Sequence, residues 1–405
     1  MQKRNVQSVR DHNRSLILRL LHRRPGLSRS ELVTLVGLTD AAVSRITREM
    51  IDAGLIVEGV ATAVGSGPGR RHVGLALAPG GATVLAACLT LFETCLSLVD
   101  LSGNVIAERS LSDHMALPAD QIAEAIANEA LELVSSDSKV LGLGVVVAGA
   151  LDHERGLLRA ASMPALVGTP FRPLLEARLK IPVQVDNLGN ALNMADLGDR
   201  TGVPHKGTTM LVHVAVGLGA SLVIDGRPHR HGGDERLLGH IPVVGATGLC
   251  HCGQTGCLNT LVSGYGILTR LSGGHRPKST ASRAEDADRL SAIIRAAREG
   301  DAALNALFLE AGEVLGRHLF PVSVAAAPDR LTLAGPMAQI PAYAEGVRHG
   351  LDAAFGRAGV VPPPVRISRI GYADASRIFA LEEFLLNSPI EMKRVAASSA
   401  EMATH

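Results

Sequence analysis

One segment, GHIPVVGATGLCHCGQTGC, gathers His240, Cys250, Cys252 and Cys257. Three thiolates and one imidazole make a standard structural zinc set, tetrahedral and closed to a substrate water. The spacing predicts a single zinc ion that pins a loop and performs no chemistry of its own, bound by ionised sulfurs and a neutral histidine. Gly253 and Gly256 supply the turns that bring the donors together. With Cys88 and Cys95 the cysteines number five, an odd count that argues for metal ligation over a disulfide framework and fits a reducing compartment.

A second chemistry lies in the first 75 residues, where twelve Lys/Arg face six Asp/Glu while the whole chain carries a formal charge of only +1. A basic module on a mildly acidic body suggests that the first part alone meets a polyanion. The elements there agree. Leu16, Ile17, Leu20 and Leu21 recur at helical spacing over residues 12–22, and Pro25-Gly26 breaks that helix. Ser28-Arg29-Ser30-Glu31 forms a capping box for a second helix, with Leu32, Leu35 and Val36 inward. After Gly37-Leu38, Thr39 caps a third helix running to about Ala53, with Val43, Ile46 and Met50 on its buried face. LIVEGVA and RRHVGLAL then read as strands joined by a glycine-rich turn. This is a winged helix-turn-helix. A reading helix contacts base edges from its first turns. Asp40, Ala41, Ala42, Ser44 and Arg45 are the candidates, with Arg45 suited to guanine, the alanines to a thymine methyl and Arg48 to the backbone. Ser28, Arg29 and Thr39 at the helix starts and Arg70 and Arg71 on the wing complete the set facing a double-stranded operator. A protein-interaction module with solvated arginines is the alternative reading of the same pattern.

From about residue 80 strands alternate with helices, an α/β body. A polar stretch over residues 272–288 reads as an exposed loop before a helical run near Arg289, GYADASRIFALEEFLLN as a closing helix, and the last dozen residues as a disordered tail. The longest apolar run, VLGLGVVVAGAL at 140–151, is too short to cross a bilayer, and residues 1–24 lack the apolar core and cleavage site of a signal peptide. A cytoplasmic protein of two or three domains is expected from these features and the 405-residue length.

The pattern resembles the ROK family (repressors, open reading frames and kinases). Gly239-His240 followed by CHCGQTGC at 250–257 carries the likeness, together with VVVAGALD at 145–152 and VDNLGNA at 185–191. The resemblance implies a two-lobed actin/hexokinase-like body around a sugar cleft, often in a homodimer. It places the winged helix-turn-helix at 1–78, one lobe at 79–195 completed by 371–387, a zinc-bearing lobe at 196–370, and a tail at 388–405. It also exposes departures. Phosphoryl transfer requires a phosphate-cradling turn and a carboxylate base. The family's Asp-x-Gly-Gly-Thr hairpin falls on Cys88, Thr90, Leu91 and Phe92, with no glycine between Gly81 and Gly103. The base position is Leu188, and Leu333-Ala334-Gly335-Pro336 replaces the glycine-rich turn near the nucleotide. Leu237 and Asn259 stand where the family carries sugar-gripping glutamates, while Asn187 and His240 remain, beside Gly149. The resemblance therefore implies a transcription regulator without kinase activity, responsive to a sugar-like effector through a degenerate cleft. A DNA-bound adaptor read by a protein partner and a sugar kinase fused to a DNA-binding module are the other readings.

Overall fold

The computed structural model describes residues 6–60, 73–114, 117–134, 139–153, 156–161, 163, 166–168, 170–198, 206–230, 237–273 and 282–387. Its first unit is the expected winged helix: α1 (Val6–Arg23), β1 (Leu27–Ser28), α2 (Arg29–Val36), α3 (Asp40–Asp52), β2 (Ile56–Val60) and β3 (Gly74–Leu77). Strands β1, β3 and β2 form an antiparallel sheet with β3 central. The capping box forms as read, with Glu31 Oε2 accepting from the Ser28 N–H at 2.8 Å, and Thr39 Oγ1 accepts from the Ala42 N–H to start α3. Val43, Ile46 and Met50 are fully buried against Ile17, Leu18 and Leu21 of α1.

The body follows as β4 (Thr83–Leu89), β5 (Thr94–Asp100), β6 (Val105–Ser110), α4 (Ala119–Leu133), β7 (Val140–Val147), β8 (Gly149–Asp152), β9 (Leu157–Ala161), α5 (Phe171–Leu179), β10 (Val183–Asn187) and α6 (Leu188–Leu197). A second series comprises β11 (Thr208–Val214), β12 (Leu218–Ile224), β13 (Arg227–Pro228), α7 (Asn259–Val262), α8 (Gly264–Leu271), α9 (Ser282–Arg298), α10 (Ala302–Ala326), β14 (Arg330–Ala334), α11 (Pro341–Arg357), β15 (Val365–Ile367) and α12 (Tyr372–Leu381), ending in a π-helical turn, Glu382–Asn387. The two five-stranded sheets repeat one topology. In the first, β4, β5 and β6 form a meander and β7 and β10 add parallel to β4; in the second, β11, β12 and β13 form the meander and β14 and β15 add parallel to β11. This duplicated plan is the actin/hexokinase-like body. One expectation is corrected: the polar stretch 272–288 is not loop throughout, because α9 begins at Ser282, and Ala287 and Leu290 give it a buried face.

Two packing features position the functional parts. The winged helix has no separate core, since Ile17, Leu18 and Leu21 share one cluster with Val84, Ala86 and Val99 of the first sheet and with Leu381, Phe384, Leu385 and Leu386. In the second series α10 and α11 meet backbone to backbone. A Cβ built on Gly316 would lie 2.3 Å from the Val347 carbonyl, and one on Gly346 2.2 Å from that of Leu309. Gly316→Ala is therefore expected to destabilise the chain by about 2–3 kcal/mol, because overpacking outweighs the ~1 kcal/mol gain in helix propensity. Urea unfolding followed by circular dichroism checks this; an unchanged or higher midpoint would show that the helices separate at no cost. No helix among the described residues is long and apolar enough to cross a membrane.

Candidate functional site

The metal-ligating set is the most compact of the expected sites. The donor atoms of His240, Cys250, Cys252 and Cys257 all lie within 4.8 Å of one another. Cys250 Sγ is 3.7 Å from His240 Nδ1, and Cys252 Sγ is 3.7 Å from Cys257 Sγ. Tetrahedral zinc with ordinary Zn–S and Zn–N bonds needs ligand separations of roughly 3.5–3.8 Å, so the residues fit the ion. The loop is folded by its own backbone: Cys250 N–H donates to the Gln254 carbonyl, Gly253 N–H to that of Cys250, and Gly256 N–H to that of Gly248. Gly256, at φ +75°, admits no side chain, since a Cβ would lie 2.6 Å from the Ala246 carbonyl. Burial pushes the Cys250 thiol up and the Cys257 thiol up to about 12, so a bound cation is what would let the sulfurs ionise together. The sequence reading missed His251. Its ring stacks edge-on against His240 and Tyr265, and its Nδ1 lies 3.9 Å from Cys250 Sγ and 3.2 Å from Asn259 Nδ2. The Cys-His-Cys triplet was the available signal.

The positions that the resemblance assigns to catalysis are filled by structure. Leu188, the first residue of α6, is 2% exposed and packs in an apolar cluster with Cys88, Cys95 and Val146 of the first sheet, Leu211 and Ala334 of the second, and Phe379 of α12. At the β4–β5 hairpin, Thr90 Oγ1 accepts from the Phe92 and Glu93 N–H groups and closes the turn. Phe92 packs edge-on against Tyr372, the Glu93 carboxylate accepts from the Ala373 N–H at 3.1 Å, and Tyr372 Oη lies 2.7 Å from His213 Nε2. Asp186, 1% exposed, accepts from the Asn187 N–H and from Asn190 Nδ2 and pairs with Arg230. A carboxylate so enclosed anchors the turn into α6.

Of the cleft residues, Asn187 and Gly149 are brought together, the Asn187 amide donating to the Gly149 carbonyl while its Oδ1 caps α6 at Gly189 and Asn190. Asn187 thus has internal partners for both ends of its side chain. Asn259 lies apart from that pair, against the metal loop. Its Oδ1 is a buried acceptor without a hydrogen-bond partner, near Gly217 and Gly239. His240 Nδ1 faces Cys250 Sγ within the candidate metal cluster.

On the winged helix, Thr39, Asp40, Ala41, Ser44, Arg45 and Arg48 are exposed and Ala42 is half-buried. Neither Arg45 nor Arg48 makes an ion pair or hydrogen bond among the described residues. Two expected contacts are placed differently. Ser28 is buried and its hydroxyl belongs to the capping box, donating to Glu31 Oε2 at 2.7 Å. Arg29 donates to Thr47 Oγ1 at 3.1 Å and pairs with Glu58, tying α2 to α3 and β2. Arg70 and Arg71 lie outside the described residues. Behind the reading face, Arg10 and Arg14 of α1 pair with Glu49 of α3, and against the effect of burial they hold its carboxyl below the usual range.

Comparison with known proteins matches this architecture part by part. Residues 10–57 match a family described as winged helix-turn-helix DNA-binding, and residues 92–367 match the ROK family. The DNA-binding transcriptional dual regulator NagC of Escherichia coli is 26% identical over 347 residues, 83% of each chain. The xylose repressor of Caldicellulosiruptor bescii is 26% identical over 328 residues, 77% of this chain and 80% of that one. Among solved structures, a ROK family transcriptional regulator described as a homologue of the E. coli MLC protein superposes with a TM-score of 0.69 at 24% identity, over 96% of this chain and all of the other. A ROK hexokinase from Thermus thermophilus superposes at 0.54 with 25% identity, over 74% of this chain and 97% of its own. With a winged helix-turn-helix ahead of a duplicated α/β body matched over most of its length, the chain belongs to the ROK family.

Proposed function

We propose that the chain is an operator-binding transcription regulator, acting as a repressor, whose body senses a sugar-like ligand without phosphorylating it. The observation that carries this reading is the face of α3: Ser44, Arg45 and Arg48 are exposed and the two guanidinium groups have no ion-pair partner among the described residues, while the opposite face is locked into a core shared with the body. Free cationic groups on a capped, rigid helix suit base and phosphate contacts. Relatives named as repressors of xylose and N-acetylglucosamine functions support a ligand of the sugar class. Leu188 and the closed hairpin support reading the chain as lacking kinase activity. The functional parts are taken as 1–78, 79–195 with 371–387, and 196–370, with the tail 388–405 outside the described residues. The chain is read as a cytoplasmic homodimer recognising paired half-sites, with one structural zinc ion held by His240, Cys250, Cys252 and Cys257.

The test is selection of duplexes from a random library, followed by gel shift over a salt series. Salt-sensitive binding to a defined sequence is expected. Arg45→Ala should weaken binding by about tenfold and relax one base position, whereas Arg48→Ala should weaken all sequences alike and lower the salt slope by about one. Selection that enriches no sequence would sink the reading. The adaptor alternative rests on Asn187, whose polar atoms are already partnered within the chain. A thermal-shift panel of sugars, sugar phosphates and nucleotides separates the two, since a ligand of the native state raises the melting temperature by mass action. Stabilisation by a sugar supports the sensor; a flat panel supports the adaptor.

A further inference from the structure

The last described turn, Glu382–Asn387, touches both ends of a path between cleft and DNA-reading module. Glu382 faces α1, its carboxylate 3.9 Å from Arg19 Nη2 and from Arg23 Nη2, and Arg19 Nε donates to the Leu386 carbonyl at 3.2 Å. Glu383 faces the other way, 3.8 Å from Arg230 Nη2. Arg230 pairs with Asp186, the buried anchor of Asn187 and of the first turn of α6. At its other end α1 grips α3 through Arg10, Arg14 and Glu49. Ion pairs therefore join Asp186 to Glu383 through Arg230, Glu382 to α1 through Arg19 and Arg23, and α1 to Glu49 of α3.

The turn is held as a unit. Phe384, Leu385 and Leu386 are buried in the core shared by α1 and the first sheet, and the Phe384 ring sits where a Cβ on Gly142 of β7 would be 2.4 Å away. Adjacent side chains on a segment so held cannot shift independently. We infer that Glu382 and Glu383 act as positioning residues that set the orientation of α1, and through it α3, according to whether Arg230 stays paired on the cleft side. This rests on the regulatory reading above. Neither glutamate is a proposed contact to DNA or ligand. Burial already pushes the Glu383 carboxyl above its ordinary range, against the pull of Arg230. Loss of that cation leaves a half-buried carboxylate beside Asp186 and Glu382 with Arg172 as its remaining favourable charge, and the turn relaxes toward α1. The ligand class that works this device is a polyhydroxyl or anionic molecule that rearranges the Asp186–Arg230 pair.

A charged chain in space is not by itself coupling, so the test is a double-mutant cycle in the full chain. Arg230→Met, Glu382→Gln, the double variant and Arg230→Lys are compared, with Arg270→Met as control, since the Arg270–Glu310 pair is exposed and off the path. Two quantities are read: amide hydrogen exchange of residues 14–23 in the free protein, and affinity for a duplex selected by the unmodified chain. Arg230→Met and Glu382→Gln should each speed exchange about fivefold and weaken the duplex about three- to tenfold. The double variant should be no worse than the stronger single, Arg230→Lys should recover most of both, and Arg270→Met should change neither. Glu382→Gln leaves the cleft cluster intact, so its matching signature separates lost transmission from a damaged cleft. Unchanged exchange in Arg230→Met, or effects that multiply in the double variant, would overturn the inference. If the chain selects no duplex, the regulatory reading falls, and the exchange cycle still decides whether the link exists.

Discussion

Returning a carboxylate to position 188 is expected to break the fold and to yield no kinase. Leu188→Asp removes a side chain that is 2% exposed, at a loss of about 1.5–3 kcal/mol of burial. It also sets an acid in the apolar cluster of Cys88, Cys95, Val146, Leu211 and Phe379, a situation that costs about 3–5 kcal/mol unless the acid takes up a proton. The N-terminus of α6 offsets at most about 2 kcal/mol. The balance is a deficit of about 3 kcal/mol or more, visible as a melting temperature lower by several degrees. Its pH dependence has a definite sign. Burial raises the folded-state pKa of the introduced carboxyl above its unfolded value of about 4, so stability is lost as pH rises between the two, and the deficit is smaller at about pH 5 than at about pH 8. Leu188→Met, close in volume, should cost less than about 1.5 kcal/mol. A coupled ATP assay over a hexose panel should stay at background in every variant, because Thr90 and Glu93 close the hairpin and Leu91 and Phe92 occupy its tip. A well-folded Leu188→Asp protein that phosphorylates a hexose would show that the interlobe core is a later addition to a working site.

How far this was legible in the sequence depends on the range of each interaction. The winged helix was readable because caps and helical periodicity act within a few residues: Ser28 with Glu31, Thr39 with Ala42, and the Val43, Ile46, Met50 stripe. The same locality says nothing of the partners these residues find in the fold. A serine good enough to cap a helix gives its hydroxyl to that cap, and Arg29 finds Thr47 and Glu58, which are distant in sequence. The four metal donors were legible from residue type and spacing, while His251 and Asn259 became neighbours only once the loop folded. Least legible was the role of Asp186. Nothing in VDNLGNA indicates that Arg230 will neutralise it, or that Glu383 will take the other side of the same guanidinium. The duplicated sheet topology is invisible locally for a related reason. Strand order depends on pairings between segments as far apart as Thr209 and Arg330, which no window of residues contains.

Removal of one thiolate from the metal cluster is expected to be the other large effect. Unmodified protein purified without chelator should carry about one zinc per chain, by the four-ligand rule. Cys250→Ser should carry essentially none, because Cys250 is fully buried and the nearest spare donor, His251, shares its Nδ1 with Asn259. Apparent zinc-binding energies of about 10–16 kcal/mol belong to peptides that are unfolded without metal. Here Leu258 and Val262 anchor the far side of the loop in the second core, so only the segment before them should come loose. A loss of about 3 kcal/mol, or roughly 3–4 °C, is the corresponding expectation for a chain of this size. Amides of residues 241–257 should exchange quickly in the variant, while α1 and α3, whose core lies elsewhere, should keep their protection. Metal analysis, thermal shift and hydrogen exchange on one preparation read all three. Zinc retained in Cys250→Ser, or a metal-free wild-type protein with the loop still protected, would refute the assignment. The Asn259 Oδ1 acceptor gives the loop a consequence beyond stability. It is held near Gly217 and Gly239 by the same fold that gathers the sulfurs, so loss of the metal should also abolish any sugar-induced thermal shift.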